Sequence, residues 1–381
     1  MTMETESGKG RIGVIDVARF YAMALVFYGH FIERFMLLKN PAGFFQYKFI
    51  YSFHMMFFFV LAGYVTRESD IDLGLGKYLK HRFISRLLPF MFFTGIFMIL
   101  PVFFSGEFFR LQLPSFQGYM VGLLNTAFGM PMFCIPSWFV LMMLGVELVH
   151  YVAFRFLKSD VKILIGIFVF YIVGYWLNLK LDIYNPLKGR VVGWNYLFIH
   201  EAITMYSFYL IGIYLKRKKF LMDKVSLKIL IPGVIITFLI VFFTYDLNKG
   251  PFNFHVYNAV VILFASHGNF FWFFISAVAG SFMILFLAKL TPQQKTISWL
   301  GQNTLILMCL NGIFYHYINP RVAKWVLDTI PGTGFNVFWV GCVMTIASLA
   351  VCIPLIYIFN KFVPQLVGKP KISGPLFKNF I

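Results

Sequence analysis

Four ionisable residues lie in the first long apolar stretch of the chain, which reads IDVARFYAMALVFYGHFIERFMLL: Asp16, Arg19, His30 and Glu33. An ionisable side chain inside a membrane-length helix costs several kcal/mol, so it is a candidate for a functional site. An imidazole titrates near neutral pH and suits a general base, whereas an arginine holds anionic or carbonyl groups through a planar set of donors. The stretch therefore predicts a site that combines a proton acceptor with a group that binds a polar ligand.

The spacing of these residues predicts two ends of a site rather than one cluster. Arg19 and His30 are eleven residues apart, so they face the same way but lie about 16 Å apart along a helix axis. Glu33 lies one turn beyond His30 and could orient it, and Asp16 lies one turn before Arg19. The alternative is structural, with Asp16 and Arg19 paired at the helix entrance and His30 used only for packing.

The composition indicates that these residues are positioned by membrane helices. Of the 381 residues, 60% are hydrophobic and only 13% are charged, whereas soluble domains hold roughly 25% charged residues. We therefore predict an all-α polytopic membrane protein, a bundle of about ten transmembrane helices. Windows of about 20 residues place these spans at 13–38, 47–66, 83–105, 135–157, 161–179, 196–215, 228–246, 269–289, 296–317 and 335–360. Two shorter apolar stretches, 118–130 and 251–267, are predicted to be re-entrant or interfacial.

Basic residues orient this bundle. With the N-terminus in the cytosol, 22 of the 33 Lys and Arg fall in inner loops and ten in outer loops, as the positive-inside rule requires. Both termini are then cytoplasmic, with one membrane domain over 1–365 and a short basic tail over 366–381. The net charge of +18 is dispersed between the spans, so the lipid bilayer is an expected partner and nucleic acid is not.

One inner segment, GKYLKHRFISRLLP at 76–89, is basic and amphipathic. On a helix, Lys77, Lys80 and His81 share one face, and Arg82 and Arg86 lie together on another. Such a segment is usually a lipid anchor at the membrane surface. It would also suit a ligand that carries several phosphate groups.

Four segments follow one another along the chain: DVARFYAMALVFYGH, FHMMFFFVLAGYV, PSWFVLMMLGVE and WLGQNTLILMCLNGIFYH. In this order they resemble the acyltransferase 3 family of integral membrane acyltransferases, and within it the stand-alone sugar O-acetylases. The first segment carries the family's Arg followed eleven positions later by His. One departure concerns a helix that carries an Arg in many relatives, since the corresponding stretch LFIHEAITMYSFYLIGIYL has His200 and Glu201 instead.

The resemblance implies a reaction. An acetyl or other short acyl group would move from cytosolic acyl-CoA to a hydroxyl of a cell-surface or lipid-linked glycan, at the cell (inner or plasma) membrane. Acyl-CoA would be a co-substrate, and no cofactor or metal would be permanently bound. Arg19 and His30 match the family's essential pair, and we expect His30 to act as the general base, with Glu33 beside it.

The remaining candidates divide by their expected depth in the membrane. The donor would be held by Arg19, Asp16, Lys77, Lys80, Arg82 and Arg86. The acceptor would meet His54, Trp138, Glu147, His200, Glu201 and Asn311. Several of these have a plainer interpretation, because Trp often anchors a helix at the interface and Asn often joins membrane helices by hydrogen bonds.

Two other functions fit the same sequence features. A glycan or small-molecule exporter would also carry intramembrane charge on about ten spans, although no inverted repeat is apparent. A different membrane acyltransferase architecture, built around an intramembrane Asn/His pair, is less consistent with the early Arg-to-His spacing. The sequence leaves open the acceptor glycan, the acyl group and the oligomeric state.

Overall fold

The computed structural model describes residues 13–181, 198–254 and 256–380, and most of these residues lie in helices. Within these ranges the extended structure is limited to one isolated bridge between Val261 and Ser266. The all-α prediction is therefore confirmed. The helices are α1 (Gly13–Leu37), α2 (Pro41–Tyr51), α3 (His54–Val65), α4 (Leu75–Arg82), α5 (Leu88–Phe97), α6 (Leu100–Phe103), α7 (Phe116–Ala127), α8 (Trp138–Ala153), α9 (Asp160–Leu181), α10 (Ile199–Arg217), α11 (Leu227–Thr244), α12 (Phe270–Leu290), α13 (Lys295–Gln302), α14 (Thr304–Ile313), α15 (Asn319–Thr329) and α16 (Gly334–Phe362).

Eight helical stretches of the described residues are long and apolar enough to cross a membrane. They are Gly13–Leu37, Pro41–Val65, Leu75–Phe103, Ile135–Phe156, Asp160–Lys180, Leu227–Thr244, Phe270–Leu290 and Gly334–Phe362. A ninth span arises if α13 is joined to Thr304–Thr329 across a 76° bend. The remaining predicted span, 196–215, corresponds to α10, which is too polar to meet the same criterion. A bundle of about ten spans therefore agrees with the structure.

Helix α10 owes its polar character to its place inside the bundle. It packs against α3, α8 and α9, and most of its side chains are buried by these helices. It carries Glu201 near its start and Lys216 and Arg217 at its end. A helix surrounded by protein can hold such residues, because other side chains rather than lipid satisfy them.

Glycines bring α10 into direct backbone contact with α3. A Cβ on Gly63 would lie 1.9 Å from the carbonyl oxygen of Tyr209, and a Cβ on Gly212 would lie 2.0 Å from that of Val60. Neither position can therefore carry a side chain at this separation. Close approach through small residues is how membrane helices gain packing energy in the absence of a hydrophobic driving force.

The two short apolar stretches do not form span-length helices. Residues 118–130 lie mostly in α7, which is 12 residues long and begins at the N-cap Ser115. The described part of 251–267 is irregular apart from a short 3₁₀ turn, Ile262–Phe264. This second stretch packs beside α1 and forms a wall of a pocket described below.

Candidate active site

Two of the cavities beside α1 contain the predicted residues, one at Arg19 and the other at His30. The larger, which we name the basic cavity, measures about 600 Å³. Its charged and histidine side chains are Arg19, Arg67, Asp70, Lys77, His81, Arg82, Arg86, Glu147 and Lys371. The smaller, the histidine pocket, measures about 40 Å³. Its polar and aromatic side chains are His30, Glu33, Tyr47, Tyr51, His54, Phe109, Trp138, Tyr257, Phe264 and Tyr315.

The same group of helices builds both cavities. Helix α1 contributes Arg19 to the basic cavity and His30 to the histidine pocket. Helix α8 contributes Glu147 to the basic cavity and Trp138 to the histidine pocket. Helix α3 contributes Phe58 to the basic cavity and His54 to the histidine pocket. Helix α14 lines the basic cavity and supplies a partner for His30. The two cavities are therefore neighbours along one helical axis, and the predicted separation of Arg19 from His30 is built into the fold.

Arg19 faces the basic cavity with Asp16 behind it. One guanidinium nitrogen of Arg19 lies 3.7 Å from an Asp16 oxygen, and the side chain remains 29% exposed. The other oxygen of Asp16 accepts a hydrogen bond from Gln302 Nε2 at 3.1 Å. Asp16 is buried and does not line the cavity. It therefore holds Arg19 in place and leaves the guanidinium accessible to a ligand.

The basic segment 76–89, which includes most of α4 and the turn after it, lines the same cavity. Arg86 Nη2 donates to Glu147 Oε1 at 2.8 Å, and Arg82 bridges that carboxylate and Asp70. A π-helical turn, Phe83–Leu87, connects α4 to α5 at this point. Residues from both predicted faces of this segment therefore line one cavity, Lys77 and His81 from the first face and Arg82 and Arg86 from the second. Lys80 is exposed and does not line it.

Glu147 lines the basic cavity, whereas His54 and Trp138 line the histidine pocket. Its carboxylate contacts Arg82 and Arg86, and its backbone oxygen accepts a hydrogen bond from Tyr78 at 2.6 Å. Its expected depth in the membrane did not reveal these contacts, because Glu147 lies in the middle of a long apolar segment. The structure thus brings Glu147 together with predicted donor residues, and its role in binding the acceptor stays a prediction.

His30 is oriented by Asn311 rather than by Glu33. Nδ1 of His30 makes a short hydrogen bond with Oδ1 of Asn311 on α14, and the imidazole packs edge-on against Tyr315 at 5.0 Å between ring centroids. With the amide oxygen facing the ring, Nδ1 carries the proton and Nε2 keeps its lone pair. Asn311, predicted to meet the acceptor, thus acts on the tautomer of His30.

Glu33 is surrounded by three phenols. Its carboxylate accepts hydrogen bonds from Tyr257 and Tyr315 at 3.0 Å and from Tyr51 at 3.3 Å. These tyrosines come from α2, the 251–267 stretch and the turn after α14, so their convergence depends on tertiary packing. The sequence analysis did not identify these tyrosines, although Tyr315 lies only four residues after Asn311 in the segment NGIFYH. Three donors keep a buried negative charge one turn from His30.

The buried side chain of Arg34 contacts both the backbone and the ring of Tyr315. Arg34 donates to the backbone oxygen of Tyr315 at 2.7 Å, stacks over its ring at 4.4 Å and pairs with Glu107. His316 is held on both nitrogens, since Nδ1 donates to the Glu107 carbonyl and Nε2 accepts from the Ile135 amide. Arg34 and His316 are therefore parts of the scaffold around the pocket.

The remaining predicted acceptor residues divide into two groups. His54 and Trp138 line the histidine pocket together with His30 and Glu33, and Nδ1 of His54 donates to the Ile50 carbonyl at 2.9 Å. His200 and Glu201 are buried on α10 and do not line the pocket.

Glu201 instead belongs to a network that fixes the 251–267 stretch. One carboxylate oxygen pairs with His267 Nε2 at 2.7 Å, and the other accepts from Asn178 Nδ2 at 2.9 Å. The backbone oxygen of Asn178 accepts from Asn253 at 3.2 Å. This network links α9 and α10 to the loop that carries Tyr257 into the histidine pocket.

Among the described residues, no three His, Cys, Asp or Glu side chains lie close enough to hold a metal ion. The arrangement instead combines a polybasic cavity with a pocket that holds an imidazole and a nearby carboxylate. An imidazole can accept a proton from a hydroxyl and several cations can bind a negatively charged ligand, so the arrangement is compatible with group transfer to an alcohol.

Comparison with known families supports this chemistry. The family model described as an acyltransferase domain, that of acyltransferase 3, matches residues 12–357, nearly the whole chain. Neither a curated protein nor a solved structure matches the chain significantly. The match spans every helix that lines the two cavities. The chain is therefore a multi-pass membrane protein of the acyltransferase 3 family.

Proposed function

We propose that this protein moves an acetyl or other short acyl group from cytosolic acyl-CoA to a hydroxyl of a cell-surface or lipid-linked glycan. The observation that carries the proposal is the placement of the basic cavity and the histidine pocket along the same helices. The donor would enter at one end of α1 and the acceptor at the other. We place the protein in the inner or plasma membrane, with the basic cavity facing the cytosol.

The basic cavity suits the nucleotide end of acyl-CoA. At about 600 Å³ it lies within the range of about 300–1,000 Å³ that is usual for small-molecule sites. The three phosphate groups of CoA need several cationic donors, and arginines bind phosphate through paired hydrogen bonds. Arg19, Arg67, Lys77 and Arg86 supply such donors from three separate segments.

The pantetheine arm would carry the thioester from the basic cavity to His30. It is comparable in length to the distance of about 16 Å that eleven residues of helix provide. Met23, Phe58 and Met308 line the basic cavity on α1, α3 and α14, the helices that also carry His30, His54 and Asn311. Methionine side chains are flexible, so this lining could admit a thin chain without moving the helices.

The chemical step follows from the hydrogen bonds of His30. Nε2 takes the proton from the acceptor hydroxyl while the oxygen attacks the thioester carbonyl. The tetrahedral intermediate then collapses, the carbon–sulfur bond breaks, and the imidazolium returns the proton to the departing CoA thiolate. Asn311 holds the required tautomer, and the buried charge of Glu33 stabilises the imidazolium while it exists.

The histidine pocket limits how the acceptor can approach. A volume of about 40 Å³ is far below the range of about 300–1,000 Å³ that is usual for small-molecule sites. It therefore fits the reacting hydroxyl but not a sugar ring. The ring would bind outside the pocket, next to the residues that line it, among which are Trp138 and His54.

A turnover assay on the purified, lipid-reconstituted protein tests the proposal. With acetyl-CoA and a mixture of cell-envelope glycans, we expect free CoA in thiol titration and an acetylated glycan in mass spectrometry. His30→Ala should reduce both by about 10²–10⁴-fold, the usual contribution of a general base. The same variant should stay inserted and folded.

The assay also separates the enzyme from the exporter. An exporter would leave acetyl-CoA intact while glycan still crosses the bilayer of the proteoliposomes. Full turnover of acetyl-CoA by folded His30→Ala protein would instead remove His30 from the mechanism.

A further inference from the structure

The chain beyond α16 folds back onto the bundle instead of leaving it. A 3₁₀ turn, Pro364–Val367, follows the end of α16, and Gln365 and Val367 are buried. At Gly368 the backbone adopts a φ of +88°, a left-handed conformation that favours glycine. Beyond this residue the chain passes Asn303, which lies between α13 and α14 and accepts a hydrogen bond from Lys369. We name residues 364–380 the C-terminal strap.

Hydrogen bonds fix the C-terminal strap on both sides of Gly368. Lys369 Nζ donates to Asn303 Oδ1 at 2.7 Å, and Asn360 on α16 donates to the same oxygen at 2.8 Å. Gln365 donates to the backbone oxygen of Phe377 at 2.6 Å, and the Phe380 amide donates to that of Pro370 at 2.8 Å. The strap is therefore a folded part of the membrane domain.

This anchoring brings Pro370 and Lys371 to the basic cavity, which they line together with Lys77, Arg82 and Arg86 of the basic segment. We propose that the C-terminal strap forms part of the donor-binding site and that Lys371 binds a phosphate group of acyl-CoA. This inference rests on the proposed function, since it assigns a residue to the donor that the function requires.

The ion pairs of the basic cavity distinguish Lys371 from two of the arginines that also line it. Arg82 and Arg86 both contact Glu147, and Arg82 also contacts Asp70, so much of their charge is already compensated. In the described part of the chain, Lys371 has no acidic side chain at ion-pair distance, and its side chain is exposed at the cavity. Its charge is therefore available to a ligand.

The geometry also suits the shape of the donor. CoA carries a diphosphate and a separate 3′-phosphate, so its negative charge is divided between two places. Cations that reach one cavity from separate segments of the chain, such as Lys77 and Lys371, match that division better than a single cluster does. A lysine ammonium is a compact charge that can serve one phosphate without the fixed geometry of a guanidinium.

Binding measurements on three variants test the role of Lys371. In calorimetry with CoA, Lys371→Ala should raise the dissociation constant by about tenfold, and Lys371→Glu should raise it further. Lys371→Arg should bind CoA much as the unmodified protein does, because the charge is kept. Lys378→Glu is the matched control, since this exposed strap residue does not line the basic cavity, and it should bind CoA normally.

The outcomes separate this inference from the proposed function. Failure of the unmodified protein to bind CoA would overturn both. Normal CoA binding by the unmodified protein and by Lys371→Ala and Lys371→Glu would overturn the role of Lys371 alone. An equal loss in Lys371→Glu and Lys378→Glu would show a general effect of charge on the strap, which also contradicts a specific contact. Thermal unfolding of each variant in detergent confirms that the compared proteins are folded.

Discussion

At the scale of single residues, Asn311 determines which nitrogen of His30 would be available as the base in the proposed mechanism. Its amide oxygen faces Nδ1, so the lone pair lies on Nε2. An amide is well suited to this task because it fixes the tautomer without adding a charge to the membrane interior. The residue acts through His30, so we regard it as a positioning residue.

Removing that amide should impair the chemical step while sparing donor binding. We expect Asn311→Leu to lower kcat by about 10²-fold, near the lower limit for loss of general-base catalysis, with CoA affinity unchanged. Asn311→Asp keeps an acceptor for Nδ1 and should recover activity. Its added carboxylate stabilises the imidazolium, so the acidic limb of its pH–kcat profile should move to higher pH. Equal losses in both variants, or weaker CoA binding, would indicate that Asn311 only joins helices.

Arg19 offers a second test at this scale. Arg19→Lys keeps the charge but removes the planar set of five donors. We expect it to raise the dissociation constant for acyl-CoA about tenfold, or 1.4 kcal/mol, which is within the range of a charged hydrogen bond. Calorimetry with a non-hydrolysable CoA analogue measures this. Unchanged binding in Arg19→Lys and Arg19→Ala would mean that Arg19 only pairs with Asp16.

The sequence predicted the positions of Arg19 and His30 better than their surroundings. Both residues lie on α1, so the eleven-residue interval separates them, and each lines a different cavity. The partners of Glu33 could not be predicted, because Tyr51, Tyr257 and Tyr315 come from elements distant in sequence. The contacts of Glu147 could not be predicted for the same reason, since Arg82 and Arg86 lie in a different segment of the chain.

At the scale of helices, the contact between α1 and α13 positions Arg19. Gly301 lies so close to α1 that a Cβ there would fall 1.9 Å from the Asp16 carbonyl oxygen. The next residue, Gln302, donates to the Asp16 side chain. A side chain at 301 must therefore move one helix and disturb the pair that holds Arg19.

We expect Gly301→Ala to lower the free energy of unfolding by about 1–3 kcal/mol, as overpacking in a close-packed interior does. Thermal unfolding in detergent measures the change. Gly95→Ala on α5 is the control, because a Cβ at that position meets nothing within 4 Å. Equal stability of the two variants would show that α13 can shift without cost.

Hydropathy located the helices well because a lipid-facing span must be apolar along its length. It could not show that α10 is enclosed by other helices, since burial by protein and burial by lipid both permit apolar residues. Nor could it show the 76° bend that divides the 296–317 span at Asn303. There the backbone leaves the helical conformation at a single residue, and an apolar window averages over it.

At the scale of the whole molecule, the bias of basic residues predicts that the basic cavity faces the cytosol. We test this with single cysteines at Lys218, predicted inside, and Lys324, predicted outside, in a chain without its four native cysteines. Both positions are exposed in the structure. In intact cells a membrane-impermeant thiol reagent should label Lys324→Cys and leave Lys218→Cys unlabelled until the membrane is opened. The reverse pattern would invert the protein and place the basic cavity outside.

The separation of the two cavities has a consequence for the order of the reaction. A nucleotide in the basic cavity does not cover the histidine pocket, so the acceptor need not wait for CoA to leave. Both substrates can then occupy the enzyme together, and the acyl group passes directly between them. Initial rates at several fixed acceptor concentrations should give intersecting double-reciprocal lines. Parallel lines would mean instead that the acyl group rests on the protein between two half-reactions.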